Sequence, residues 1–228
     1  MNNYKEDFIK FMVKATVLRF GSFVTKSGRT SPYFVNTGLY RTGEQIMKLG
    51  EYYAERIKEA MDNGDIPADA NVLFGPAYKG IPLAVTAAIA LKSKYNIDVD
   101  YCFNRKVEKD HGEGGSIIGH PLEAGDKVII IDDVITAGTA MRETIPVVTS
   151  VEGVEIAGLI VSVDRMEKGT GELSAIQEIE RDYGIKTYPI VTIVEILDLL
   201  AGKYVDGKVH IDDEMKAQIE AYRAQYCV

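Results

Sequence analysis

Two adjacent carboxylates, Asp132 and Asp133, follow the apolar run Val128-Ile129-Ile130-Ile131 and lead through Val134-Ile135 into the small-residue turn Thr136-Ala137-Gly138-Thr139-Ala140. Small residues let a backbone approach a ligand closely, and free N–H groups at a helix start favour phosphate. A phosphate set directly against two carboxylates would be repelled, so the acids suit another partner. Sugar hydroxyls, a Mg²⁺ complex or positive charge developing during a reaction would each fit. A helix cap beside a solvated acid is the plain structural alternative.

Other segments carry chemistry too. Gly75-Pro76-Ala77-Tyr78-Lys79-Gly80 has the first glycine spacing of a phosphate loop but lacks the Gly-Lys-Ser/Thr ending. Gly112-Glu113-Gly114-Gly115-Ser116-Ile117 misses Gly-x-Gly-x-x-Gly and follows a charged loop. A P-loop kinase and a dinucleotide-dependent dehydrogenase are therefore not expected. Residues 104–119 form a long connection without evident secondary structure, the usual form of a lid or binding loop. That loop carries Arg105, Lys106, Lys109 and His111 beside Glu108, Asp110 and Glu113, with Gly112, Gly114 and Gly115 free for hinge motion. A solvated mixed-charge loop is its alternative. Arg165 follows an apolar run; its guanidinium fork suits a planar carboxylate, or it pairs with Glu167 or Asp164.

These residues need a scaffold. The first 16 residues place Tyr4, Phe8, Phe11, Met12 and Ala15 at helical spacing. Val17–Thr25 and Ser31–Asn36 read as a hairpin around the basic turn Lys26-Ser27-Gly28-Arg29-Thr30. Thr42-Gly43-Glu44-Gln45 is a capping box opening a helix to about Asp62. Strands follow at Asn71–Phe74, Val99–Phe103, Lys127–Ile131, Glu155–Val163 and Lys186–Pro189. Helices are expected from the Gly75–Gly80 loop to about Tyr95, near Thr139–Ser150 and Leu173–Tyr183, and over Asp212–Tyr226. Near-continuous apolar strands between helices specify an α/β fold with a parallel sheet covered on both faces. Ligands of such sheets bind at the carboxyl ends of the strands, so the loops after Phe74, Phe103, Ile131 and Val163 are the places to search.

The chain's 228 residues carry 26 Lys and Arg against 34 Asp and Glu, a net charge of −8 that argues against general binding of nucleic acid or anionic membranes. With 46 % hydrophobic residues it is no disordered or low-complexity chain. Cys102 and Cys227 lie far apart and make no metal-ligand spacing. No apolar run reaches about 18 residues and the N-terminus shows no signal pattern. A soluble cytoplasmic protein with two reduced thiols is expected.

The apolar strand, Asp132-Asp133 and Thr136-Ala137-Gly138-Thr139 resemble the phosphoribosyl-pyrophosphate (PRPP) motif of the type I phosphoribosyltransferases. Lys26–Phe34, Gly75–Gly80 and Asn104–Gly115 add a resemblance, in order and separation, to the orotate phosphoribosyltransferases within that family, and it covers essentially the whole chain. It implies an α/β phosphoribosyltransferase domain over 1–228, with a mainly parallel central sheet flanked by helices. A small N-terminal hood over about 1–40 and a mobile lid over about 104–119 complete it. It further implies a homodimer with shared active sites and a Mg²⁺ ion carried mainly on PRPP, with no protein metal ligand firmly assigned. PRPP contacts would come from Lys26, Tyr78, Lys79, Arg105, Lys106, Lys109, His111, Asp132, Asp133, Val134, Ile135, Thr136, Ala137, Gly138, Thr139 and Ala140. Orotate would meet Phe34, Val35, Thr136 and Arg165. Many family members carry a second Phe where Val35 stands, which backbone recognition would tolerate and side-chain stacking would not.

The catalytic expectation combines the resemblance with physical chemistry. Transfer at the anomeric carbon builds oxocarbenium character and expels pyrophosphate, so a closing lid should exclude water and bring cations to the leaving group. Lys109 is the first choice for that role and His111 the second, while Asp132 and Asp133 hold the ribose and stabilise its developing charge. The rivals are transfer to another base, and a PRPP-sensing regulator that binds nucleic acid. The −8 charge and the lid lysine argue against the second.

Overall fold

The computed structural model describes residues 3–25, 28–106, 117–135, 138–169 and 171–228. Helix α1 (Asn3–Lys14) buries Phe8, Ile9, Met12 and Val13. Strands β1 (Leu18–Val24) and β2 (Thr30–Val35) form the expected antiparallel hairpin, as a sheet of their own. One 3₁₀ turn (Thr37–Leu39) leads to α2 (Gly43–Asp62), whose start is the Thr42/Gln45 capping box. Then come β3 (Val72–Phe74), α3 (Gly80–Tyr95), β4 (Asp100–Asn104), β5 (Ile117–Gly119) and β6 (Lys127–Val134). After these follow α4 (Thr139–Val148), β7 (Glu155–Asp164), α5 (Ala175–Tyr183) and β8 (Thr187–Thr192). The chain closes with α6 (Ile193–Leu200), the short hairpin β9 (Tyr204–Val205) and β10 (Lys208–Val209), and α7 (Asp213–Tyr226).

The main sheet has the order β5-β4-β3-β6-β7-β8, parallel except for the antiparallel edge strand β5. Strand alternation divides its apolar residues between two cores. Leu73, Ile129, Ile131 and Ile160 pack with α1, α2, α3 and α6, whereas Val72, Phe74, Val128, Ile130 and Val161 pack with α4 and α5. Among the described residues no helix is long and apolar enough to cross a membrane.

Several boundaries differ from the sequence expectation. β6 runs three residues past Ile131, because the ladder to β7 continues through Asp132↔Val161 and Val134↔Val163; the two carboxylates therefore lie within the strand. The connection expected over 104–119 is shorter, since Asn104 closes β4 and pairs with Ile117 of β5. The helix expected to reach Ser150 stops at Val148, and the one expected from Leu173 starts at Ala175 behind an Ser174/Gln177 capping box. The strand expected over Lys186–Pro189 runs to Thr192, where β8 stays paired with β7. Helix α6 and the β9–β10 hairpin were not anticipated.

Candidate active site

The carboxyl ends of β3, β4 and β6 meet at one place, and glycines set how closely. A side chain on Gly75 would place its first carbon 2.3 Å from the Gly80 carbonyl oxygen, and one on Gly80 would meet the Ile131 carbonyl oxygen at 2.8 Å. The Gly75–Gly80 loop therefore lies directly on β6 just before its two acids, a contact that any larger residue would push apart. Asn104 Oδ1 accepts the Ala77 N–H at 2.9 Å, tying the loop to the end of β4 as well. The Ala77–Tyr78 peptide is cis.

Lys79 is held by this loop over the end of β6. Its Nζ donates to Asp133 Oδ2 at 2.6 Å, and the Thr37 hydroxyl donates to the same oxygen at 2.6 Å. The lysine side chain is 60 % exposed and the aspartate only 13 %, so the ammonium forms the solvent side of the pair. Backbone on either side is anchored from two layers: the Tyr53 hydroxyl, on α2, donates to the Asp132 carbonyl at 2.8 Å, and Ser162 Oγ, on β7, donates to the Asp133 carbonyl at 2.6 Å.

The two neighbouring acids thus have opposite electrostatic characters. Burial, and then the charge of Asp133, push the Asp132 carboxyl up to about 7. Burial acts on Asp133 in the same direction, but the hydrogen bonds from Lys79 and Thr37 and the lysine charge outweigh it and hold this carboxyl below its ordinary range. At neutral pH the pair carries one firm negative charge, on Asp133, and one group that exchanges its proton readily.

A second cluster forms where β7 ends beneath the N-terminal hairpin. Arg165 is buried, 6 % exposed, and of its two possible acid partners it takes Glu167: Nε and Nη2 lie 3.1 and 2.6 Å from Glu167 Oε1. The Tyr222 hydroxyl, from α7, donates to that same oxygen at 2.9 Å, and Tyr33 sits under the guanidinium with its ring centre 4.9 Å away. Asp164 is occupied elsewhere, accepting the Met166 N–H at 2.7 Å. Phe34 stacks on Phe23 at 5.4 Å with Arg19 over both rings, while half-buried Val35 packs into the core.

Comparison with known proteins fits this arrangement. Residues 37–184 match the family model described as a phosphoribosyl transferase domain. An orotate phosphoribosyltransferase of Lachnoclostridium phytofermentans is 54 % identical over 228 residues, covering 100 % of this chain and 99 % of that one. One from Clostridium beijerinckii is 54 % identical over 226 residues, 99 % of each chain. The crystal structure of the Francisella tularensis orotate phosphoribosyltransferase superposes with a TM-score of 0.82 at 37 % identity, over 97 % of this chain and 100 % of that one. The chain belongs to the orotate phosphoribosyltransferase family.

Of the residues that the sequence nominates in this family member, the structure brings Lys79, Asp132 and Asp133 into one group at the end of β6. Tyr78 is exposed beside them and Lys106 Nζ stands 5.4 Å from the centre of its ring. Arg105 follows Asn104 out of β4, its buried Nε without a hydrogen-bond partner among the described residues. Val134 ends β6 and packs on one core, Ile135 on the other, and Gly138 adopts φ 72° to open α4, where Thr139 and Ala140 are exposed. Arg165 and β2 form a separate group, joined by Arg165 Nη2 to Ser31 Oγ at 3.3 Å. Lys26, Lys109, His111, Thr136 and Ala137 lie outside the described residues. Sequence reasoning assigned no role to Asn104, although it opens the Asn104–Gly115 segment, and passed over Thr37, Tyr53, Ser162 and Tyr222, which stand in no motif; only contacts across the fold reveal them.

Proposed function

We propose that this family member transfers the 5-phosphoribosyl group of PRPP to orotate, releasing pyrophosphate and giving orotidine 5′-monophosphate for de novo pyrimidine synthesis. The observation that carries the proposal is the Lys79–Asp133–Thr37 group beside Asp132, which sets an exposed cation and two carboxylates at one strand end. Asp132 and Asp133 accept hydrogen bonds from ribose hydroxyls and stabilise positive charge on the ribose as the bond to pyrophosphate lengthens. Lys79 and Tyr78 face the pyrophosphate, together with Arg105, Lys106 and, from outside the described residues, Lys26, Lys109 and His111. The start of α4, whose cap Gly138 supplies no side-chain hydrogen bond, offers its first N–H groups to the 5′-phosphate. The base lies toward Phe34, Val35, Thr136 and Arg165, and attacks the face opposite the departing pyrophosphate.

Mg²⁺ carried on PRPP would shield the phosphate charge and assist the departure of pyrophosphate. Such an ion keeps several of its waters and needs at most one or two carboxylates in addition to substrate phosphates, which suits the adjacent acids of β6. Residues 1–40 form the hood, and the connection between β4 and β5, of which residues 107–116 lie outside the described ones, forms the lid of one domain. A cytoplasmic homodimer with shared sites completes the proposal. The outer face of α3 supports the dimer: the helix is apolar around most of its circumference and Ile89 is 62 % exposed.

The test follows orotate consumption by ultraviolet absorbance with purified protein, PRPP and Mg²⁺, omitting each in turn and replacing orotate with adenine, hypoxanthine or uracil. Loss of orotate signal that requires PRPP and matches pyrophosphate release is the expected result. Turnover with another base alone would keep the transferase and change its substrate. Binding of PRPP without turnover of any base, with a salt-sensitive shift of RNA or DNA, would favour a regulator.

A further inference from the structure

Thr37 belongs to none of the segments whose composition suggests chemistry, yet its hydroxyl shares Asp133 Oδ2 with Lys79, both donors at 2.6 Å and the lysine nitrogen 3.5 Å from Thr37 Oγ1. The residue is fixed on both sides. Asn36 N–H donates to Val17 O at 2.9 Å, Asn36 Oδ1 caps the turn by accepting the Gly38 N–H at 3.2 Å, and Tyr40 N–H returns to Thr37 O at 3.2 Å. The two donors differ in how they are held. Lys79 ends a flexible, largely exposed side chain that an arriving anion can draw away, whereas Thr37 has a short side chain on a pinned turn. Departure of the lysine would leave the half-buried carboxylate one fixed donor from a side chain. Backbone groups complete the support: the Val134 N–H lies against the same carboxylate, and the Asp133 main chain is held by Ser162 and by Asp132 Oδ1.

We infer that Thr37 is a positioning residue for PRPP: it holds the Asp133 carboxylate in place while Lys79 exchanges that carboxylate for the pyrophosphate. Without the hydroxyl, Asp133 would have Lys79 as its main partner and would retain it, so the lysine would reach PRPP at greater cost and the carboxylate would turn after it. Losing this hydrogen bond to a charged group is expected to lower PRPP affinity about ten-fold. Because Thr37 contacts neither Phe34 nor Arg165, the effect belongs to PRPP and not to the base. The inference rests on the proposed PRPP chemistry and extends it to a residue outside every motif.

The experiment measures PRPP affinity by calorimetry, and KM for PRPP and for orotate, in the wild type and in Thr37→Val, Thr37→Ser and Thr37→Ala. Expected are an approximately ten-fold loss of PRPP affinity and of kcat/KM for PRPP in Thr37→Val, a KM for orotate within about two-fold of wild type, and recovery in Thr37→Ser. If Thr37→Val does not fold, the comparison of Thr37→Ser with Thr37→Ala, which differ by the hydroxyl alone, decides the matter. Equal PRPP affinity in Ser and Ala, or a Val variant within two-fold of wild type, overturns the inference. The wild type separates this outcome from failure of the broader proposal. A wild type that binds PRPP but ignores orotate leaves the calorimetric arm intact, and one that binds no PRPP removes the proposed function itself.

Discussion

Replacing Asp132 by Asn should stabilise the protein, and more so as the pH rises. Asp132 sits half-buried beside a second carboxylate, and its Oδ1 accepts the Asp133 N–H at 2.8 Å, a bond that an asparagine oxygen preserves. Burial and the neighbouring charge lift its carboxyl from 3.8 to about 7 in the folded chain. A raised carboxyl pKa means that folding favours the protonated form. The wild type therefore keeps its full stability below the unfolded value and loses it as pH climbs through the folded value. Each pKa unit is worth 1.36 kcal/mol, so the loss between pH 4 and pH 8 is at most about 4 kcal/mol. The asparagine imitates the protonated acid and is spared that loss. For a chain of this size a kcal/mol moves the melting temperature by about 2–4 °C, which puts the gap at up to about 8–16 °C above pH 8, about 3–7 °C at pH 5 and near zero only below pH 4. Thermal unfolding of both proteins from pH 4.5 to 8.5, without ligands, measures it. A gap that is constant or shrinks with rising pH would refute the electrostatic account of the pair, whatever happens to turnover.

Three further changes probe the supports of the site. Gly80→Ala must push its methyl group against the Ile131 carbonyl and the Gly75 backbone, so it should cost about 1–3 kcal/mol and lower turnover by displacing Lys79; unchanged melting and kinetics would mean that the loop gives way freely. Tyr53→Phe leaves the Asp132 carbonyl without its 2.8 Å donor, with an expected loss of about 1–3 kcal/mol in chemical denaturation. Glu167→Gln weakens the only ion pair of Arg165 among the described residues and should raise KM for orotate several-fold with little change in KM for PRPP; the reverse split would place Arg165 on the wrong substrate.

What could be read from sequence, and what could not, follows the range of the interactions. The Thr42/Gln45 capping box is written in four consecutive residues and was readable to the residue. The alternating apolar strands announced a covered sheet because each carries its own pattern of burial. The extension of β6 through Asp132 and Asp133 was hidden, since two acids normally end a strand and only the ladder to Val161 and Val163 keeps this one going. Helix α6 was missed because Ile193–Leu200 is apolar on nearly every side, although the Thr192/Glu195 capping box before it was a legible signal. Arg165 invited a choice between Asp164 and Glu167 that neighbouring residues cannot make. The hydroxyls that gather on Glu167 belong to Tyr33 and Tyr222, 134 and 55 positions away.

The same distinction explains how the proposed site for a polyanion can contain two carboxylates. Left to themselves, Asp132 and Asp133 would repel a pyrophosphate and one another. The fold answers in layers: Asp132 is buried until it prefers its proton, Asp133 is matched to Lys79 and Thr37, and glycines at 75 and 80 press the lysine's loop against the strand that bears the acids. Little net negative charge would then face an incoming phosphate, while, in the proposed reaction, a carboxylate stays in place for the moment when positive charge develops on the sugar. That arrangement needs Lys79 to be able to leave and Asp133 to be unable to follow. The exposed four-carbon stem of the lysine meets the first condition, and the pinned hydroxyl of Thr37 meets the second.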